Sequence, residues 1–106
     1  MAEAAQSRAR QLLGDTAPGL VRLTDDVLFG QVWADPALSR RDRSLVTVAA
    51  LTSLYRTEQL RSHLRLALEN GLSKDELVAA ITHLAFYSGW PNAMSAITEL
   101  KRITEE

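Results

Sequence analysis

The second half of this chain carries helix boundaries in its residue chemistry. Ser39 and Asp42 stand ahead of the run Leu45 to Leu51, an N-cap and a first-turn acid that introduce a helix reaching about Leu54. Thr57 is placed to cap the next helix. That one carries Leu60, Leu64, Ala67 and Leu68 at helical spacing and stops at Asn70-Gly71, the expected left-handed terminator. Ser73-Lys-Asp-Glu76 is a capping box that opens a helix through Leu77, Ile81, Leu84 and Ala85 to Gly89, and Pro91 suits the first turn of a last helix ending near Thr104. Ser39 to Glu105 therefore reads as four helices, and no segment alternates with the period of a strand. The fold class is all-α, with five to six helices.

Upstream, Asp15-Thr16-Ala-Pro18 starts another helix with Leu20, Leu23, Val27 and Leu28 on one stripe. Gly30 is expected to end it. Asp35-Pro36 marks a turn, so Gln31 to Leu38 reads as an irregular connection carrying Trp33. Met1 to Leu13 is an arm or a short helix. At 106 residues the chain fits one domain, divided into an N-terminal arm over 1–15 and a helical domain over 16–106.

Twelve basic side chains against thirteen acidic ones leave no basic footprint for nucleic acid. No apolar run approaches a membrane span of ~18 residues, and Met-Ala-Glu-Ala-Ala-Gln-Ser-Arg has neither the basic lead nor the apolar core of a secretory signal. The expectation is a cytoplasmic protein without nucleic-acid or membrane partners. Two helices are apolar on more than one face: Ala79, Ala80, His83, Phe86 and Tyr87 spread around a different side from Leu77, Ile81, Leu84 and Ala85. The Leu45 to Leu51 run raises the same difficulty. Burial between copies is the usual remedy, so a homo-oligomer is expected, with sites near subunit contacts.

Candidate chemistry centres on two histidines. His63 shares a face with Leu60, Leu64 and Ala67, which makes it either a satisfied core histidine or an acid/base group that titrates near neutrality. His83 lies at helical spacing from Ala79, Ala80 and Tyr87. A separation of twenty residues with no cysteine is no zinc pattern, so no metal is expected. Glu58, in the first turn of the His63 helix, is favoured there by the helix dipole or faces a pocket and trades protons. Among Arg40, Arg41, Arg43, Arg56, Arg61 and Arg65, one or two that face inward would clamp a carboxylate, pointing to a small anionic metabolite. Trp33, Tyr87 and Trp90 are pocket walls or ordinary core and interface aromatics.

Leu38 to Leu51, Thr57-Glu-Gln-Leu60, His63 to Ser73, His83 to Pro91 and Ala93-Met-Ser-Ala96, with Phe29-Gly-Gln-Val-Trp33, together resemble the carboxymuconolactone decarboxylase family, which is related to the alkylhydroperoxidase D family. In the peroxidase relatives a Cys-x-x-Cys pair precedes a histidine that looks like His63. Arg56 and Gln59 occupy the matching cysteine positions, and Ser44 that of a relay glutamate. With no cysteine in the chain, a peroxiredoxin or antioxidant role conflicts with these residues, because the thiolate is the reacting group there.

The resemblance implies a hexamer built as a trimer of dimers, and a decarboxylation that turns a γ-carboxylated muconolactone into an enol-lactone without a cofactor. For that chemistry His63 is the chosen proton donor, Glu58 would orient it or share the proton, and an arginine such as Arg43 would bind a substrate carboxylate. His83, Tyr87 and Trp90, with Trp33, would shape the pocket. Tyr55 and Arg61-Ser62 depart from the smaller or apolar residues usual around the histidine. The competing expectation is a non-catalytic oligomeric binding or scaffold protein.

Overall fold

Ser7 acts as a helix cap, its hydroxyl accepting the Arg10 N–H at 3.0 Å. The computed structural model describes residues 7–106, all helix and connection, with no strand among the described residues. The Met1 to Gln6 part of the expected arm lies outside them. By internal contacts the chain forms two units, the first ending at Ala37 and the second spanning Leu38–Glu106.

In the first unit, α1 (Arg8–Leu13) is followed by α2 (Pro18–Arg22), whose proline fills the first turn where no backbone donor is needed. The Ser7 hydroxyl also donates to Asp25 Oδ2 at 2.8 Å. From Leu23 to Val32 the backbone winds as a π-helix, and the Trp33 N–H continues the pattern by reaching the Leu28 carbonyl five residues back at 2.9 Å. Gly30 therefore does not end the helix as its sequence position suggests. A Cβ there would stand 3.1 Å from the Asp25 carbonyl oxygen, so the glycine serves close backbone approach inside the wide turns. The helical path runs on to Val32, and the irregular connection begins only beyond it. Asp35 then accepts the Ala37 N–H at 2.9 Å, which makes the Asp35-Pro36 turn.

The second unit holds the four helices expected: α3 (Arg40–Ser53), α4 (Thr57–Glu69), α5 (Lys74–Ser88) and α6 (Trp90–Thr104). Ser39 caps α3 through the Asp42 N–H, and Ser73 and Glu76 close both bonds of their capping box at 3.0 Å. α3 packs on α4 and α5, and α6 packs on the same two. Thus α4 and α5 occupy opposite corners of the bundle. Its core is Val48, Leu60, Leu64, Ala67, Leu72, Leu77, Ile81, Ala85, Ala93, Ala96, Leu100 and Ile103. Each large side chain there contributes about 1.5–3 kcal/mol by leaving water.

α3 and α4 end in the same motif with different residues. Leu72 N–H bonds the Ala67 carbonyl and Gly71 N–H that of Leu68; likewise Arg56 N–H bonds Leu51 and Tyr55 N–H bonds Thr52. Gly71 takes the left-handed position at φ 105°, and Tyr55 takes it at φ 60°. A side chain in that region costs about 1–2 kcal/mol. This tight exit from α3 also corrects the expected cap of α4. Arg56 is the capping residue, without a side-chain bond, and Thr57 is already helical. Asn92 of α6 donates to the Thr52 and Ser53 carbonyls at 3.0 Å each, satisfying the end of α3.

Candidate active site

His63 projects from α4 beside the core residues Leu60, Leu64 and Ala67 and is itself half-buried. Its surroundings follow from one bond. Asn70 Nδ2 donates to Ser44 Oγ at 3.0 Å, joining the last residue of the α4 turn to the buried first turns of α3. Asn70 is seven residues beyond His63, so the two lie on the same side of α4. α3 and α4 run antiparallel, tied at the turn by the Arg56 N–H to the Leu51 carbonyl and at the open end by the Asn70 bond. His63 lies between these two ties, opposite the second half of α3.

Burial pushes the His63 imidazole below its ordinary pKa, because the charged ring loses hydration. The ring is therefore neutral at pH 7, able to accept a proton and a stronger acid than an ordinary imidazolium once it carries one.

The other predicted residues are spread along this frame. Arg43 is half-buried in the first turn of α3 with its Nε shielded from solvent. Glu58 is exposed in the first turn of α4, about 140° around the helix from His63, and its charge acts on Arg61. His83 and Tyr87 stack with ring centres 4.9 Å apart on the exposed side of α5, and Phe86 meets Trp90 edge-on at 5.2 Å. Within one chain His83, Phe86 and Tyr87 lie on α5, the corner opposite α4, while Trp90 opens α6. Trp33 lies in the first unit, buried, with its ring 5.6 Å from that of Phe29.

Most arginines near this region are engaged by carboxylates. Arg61 and Arg102 hold Glu99 at 2.7 and 3.1 Å, Arg65 holds Glu106 at 2.8 Å, and Arg41 pairs with Glu76. Glu99 is nearly buried, and the Arg61 bond holds its carboxyl below the usual carboxylate range against the opposing effect of burial. Among the described residues no cluster of three or more His, Asp or Glu side chains could hold a metal ion.

Sequence reasoning treated Asn70 only as a helix terminator. The signal it overlooked was the seven-residue step from His63. Nothing in the sequence pointed to Glu99 as a buried carboxylate, since its arginines come from another helix and from its own next turn.

The profile of the carboxymuconolactone decarboxylase family matches residues 18–102. The 4-carboxymuconolactone decarboxylase of Acinetobacter baylyi is 38% identical over 91 residues, which is 86% of this chain and 68% of that protein. The nitrosuccinic acid decarboxylase npaB of Metarhizium robertsii is 34% identical over 82 residues, 77% of this chain and 57% of that protein.

Proposed function

This chain belongs to the carboxymuconolactone decarboxylase family, and from that premise we propose that it is a decarboxylase of a small carboxylated anion, a lactone or a related acid, working by proton transfer at His63. The observation that carries this reading is that relatives at 38% and 34% identity are both named as decarboxylases. The unsaturated lactone and the nitro acid in those names have one chemical property in common. Each contains its own electron acceptor, so the pair released with carbon dioxide has somewhere to go without a cofactor.

The step balances within the substrate and one histidine. The bond to the departing carboxylate breaks, carbon dioxide leaves, and the electron pair spreads onto the acceptor. A new C–H bond then forms with a proton from His63, and the neutral imidazole regains a proton from solvent. An anion bound beside His63 raises its proton affinity in the half-buried setting, offsetting the effect of burial. In this reading Arg43 offers a guanidinium to a carboxylate and Glu58 assists at the head of α4. The acceptor anion needs donors aimed at it, a contribution typical of such sites.

We further place the chain in a homo-oligomer, with the hexamer implied by the family resemblance as its expected form. Supporting this, Phe86 and Tyr87 are 73% and 77% exposed, an apolar face that nothing among the described residues covers. In such an assembly His83, Tyr87 and Trp90 would complete a pocket from a neighbouring copy. Among the described residues no helix is long and apolar enough to cross a membrane. We place the protein in the cytoplasm, where a chain without cysteine lacks no needed disulfide.

The test is to supply the purified protein with 4-carboxymuconolactone and with nitrosuccinate and to measure carbon dioxide release. Turnover of either above the uncatalysed rate supports the reading. Thermal stabilisation by these acids with no release would favour a binding protein instead.

A further inference from the structure

Two turns lie side by side at one end of the second unit. The α3–α4 turn and the α5–α6 turn are joined by the Ser53 and Ser88 hydroxyls, bonded at 2.6 Å, and by the Asn92 amide on the Thr52 and Ser53 carbonyls. Tyr55 extends the join, its phenol oxygen accepting from Ser95 Oγ at 3.4 Å. Ser95 follows Met94, Met94 lies one turn beyond Trp90, and Trp90 meets the Phe86 ring edge-on. Leu54, Tyr55, Phe86, Tyr87, Trp90 and Met94 thus form one apolar face around this end, each of them more than half exposed.

The stretches that build the face, Ser44 to Tyr55 and Leu77 to Thr98, contain no Asp, Glu, Lys or Arg. Aromatic rings and a methionine without charge are the composition of an interface core. Such a face offers an acidic or basic partner nothing to pair with, whereas a second copy of this chain brings the same apolar surface to it. The four rings alone would hide on the order of 500 Å² per copy. Two copies therefore reach the roughly 1,000 Å² that a specific interface needs before Leu54 and Met94 are counted.

Tyr55 holds the strained position of its turn. It sits at φ 60°, whereas the same place at the end of α4 is taken by Gly71, which has no side chain to oppose it. Within one chain the Tyr55 ring gains little, being 57% exposed with a long hydroxyl contact. A backbone cost that is not offset inside the chain points to a gain outside it.

We propose that this turn-end face is a two-fold contact between copies of the chain, and that packing of the Tyr55 ring across it offsets the cost of the left-handed backbone. This rests on the homo-oligomer reading and names the surface that makes the contact. Removing the ring then has opposite effects on the two levels of structure, favouring the fold of one chain and disfavouring the assembly.

Sedimentation velocity over a dilution series measures the association, and urea unfolding measures the fold. Trp90→Ala and Tyr55→Gly should each weaken association about tenfold or more, the scale of an aromatic hot spot. Phe86→Glu should break the contact, and adding Tyr55→Gly to it should shift the urea midpoint upward, because glycine relieves the strain. Iodide should fail to quench Trp90 in the assembled wild type and quench it on dilution, Trp33 being buried throughout.

An oligomer whose association neither Trp90→Ala nor Tyr55→Gly changes, or in which Trp90 stays open to iodide, overturns the proposal while the oligomer stands, and the face then belongs to another occupant. A urea midpoint that stays or falls when Tyr55→Gly is added to Phe86→Glu overturns it as well. A wild type that sediments as one chain at micromolar concentration removes both the contact and the oligomer on which it rests.

Discussion

The Asn70 amide donates to the Ser44 hydroxyl at 3.0 Å, and this bond fixes which side of α4, the one bearing His63, is turned to α3. Ser44 is fully buried. A buried hydroxyl deprived of its partner costs about 1–3 kcal/mol, whereas removing both partners together is nearly neutral. Asn70→Ala should therefore lower stability in urea unfolding by about 1–2 kcal/mol, and Ser44→Ala in the same chain should recover part of that loss. Strict additivity of the two single changes would show that the bond carries no energy.

His63→Gln keeps size and some hydrogen bonding while removing proton transfer at neutral pH. Turnover of an accepted substrate should fall by ~10²–10⁴-fold with assembly intact, and His83→Gln should do less. For the free enzyme, kcat/KM should decline as pH rises through a value below the ordinary histidine pKa, because burial lowers the pH at which the imidazolium is lost. The same shift affects folding. The unfolded chain binds more protons than the folded one between the lowered pKa and the ordinary one, so His63 makes stability rise with pH across that window. A thermal melt series in which His63→Gln keeps the wild-type slope there would contradict this.

Glu99 acts at the acid end. Its carboxyl is held low by Arg61, so the stability it contributes is complete above the ordinary glutamate pKa and is lost as pH falls through the lowered value. Glu99→Gln should flatten the acid limb of the stability profile. The measurement is the unfolding midpoint from pH 6 downward, and parallel curves for wild type and variant would rule the clasp out as the cause.

Phe86 is 73% exposed on α5, so its replacement leaves the bundle core untouched. Phe86→Glu should reduce the particle mass seen by light scattering while leaving helix content unchanged. A wild type that scatters as one chain at micromolar concentration would refute the oligomer itself.

With Arg56 and Gln59 at the positions matching the cysteine pair, and no cysteine anywhere in the chain, hydroperoxide should not be consumed with a dithiol reductant. Consumption above a no-enzyme control, after removal of contaminating metal, would count against that exclusion.

What the sequence made legible was local. Ser39, Ser73, Glu76, Gly89 and Pro91 act within one turn of themselves, and each sits where its side chain or backbone chemistry demands. Gly30 misled because glycine answers two needs, a left-handed stop and a close backbone approach, and spacing alone does not distinguish them. Tyr55 in a glycine's position was opaque for the converse reason, since the backbone bonds to Leu51 and Thr52 and the Asn92 amide on the Thr52 and Ser53 carbonyls hold a turn that the residue's own preference opposes. The half-burial of His63 followed from its helical face, whereas the Arg61–Glu99 clasp depends on α6 crossing α4 and has no signature in either helix.

Ser44, Tyr55, Arg56, His63 and Asn70 all fall within residues 44–70, a helical hairpin tied at its turn by the Leu51 and Thr52 carbonyls and at its open end by the Asn70 bond. The hairpin that carries the histidine is thus contiguous in the gene. Exchange of that one segment between related chains would carry the histidine and its supporting bonds as a cassette, while Arg43 and the outward aromatics of α5 would remain those of the recipient.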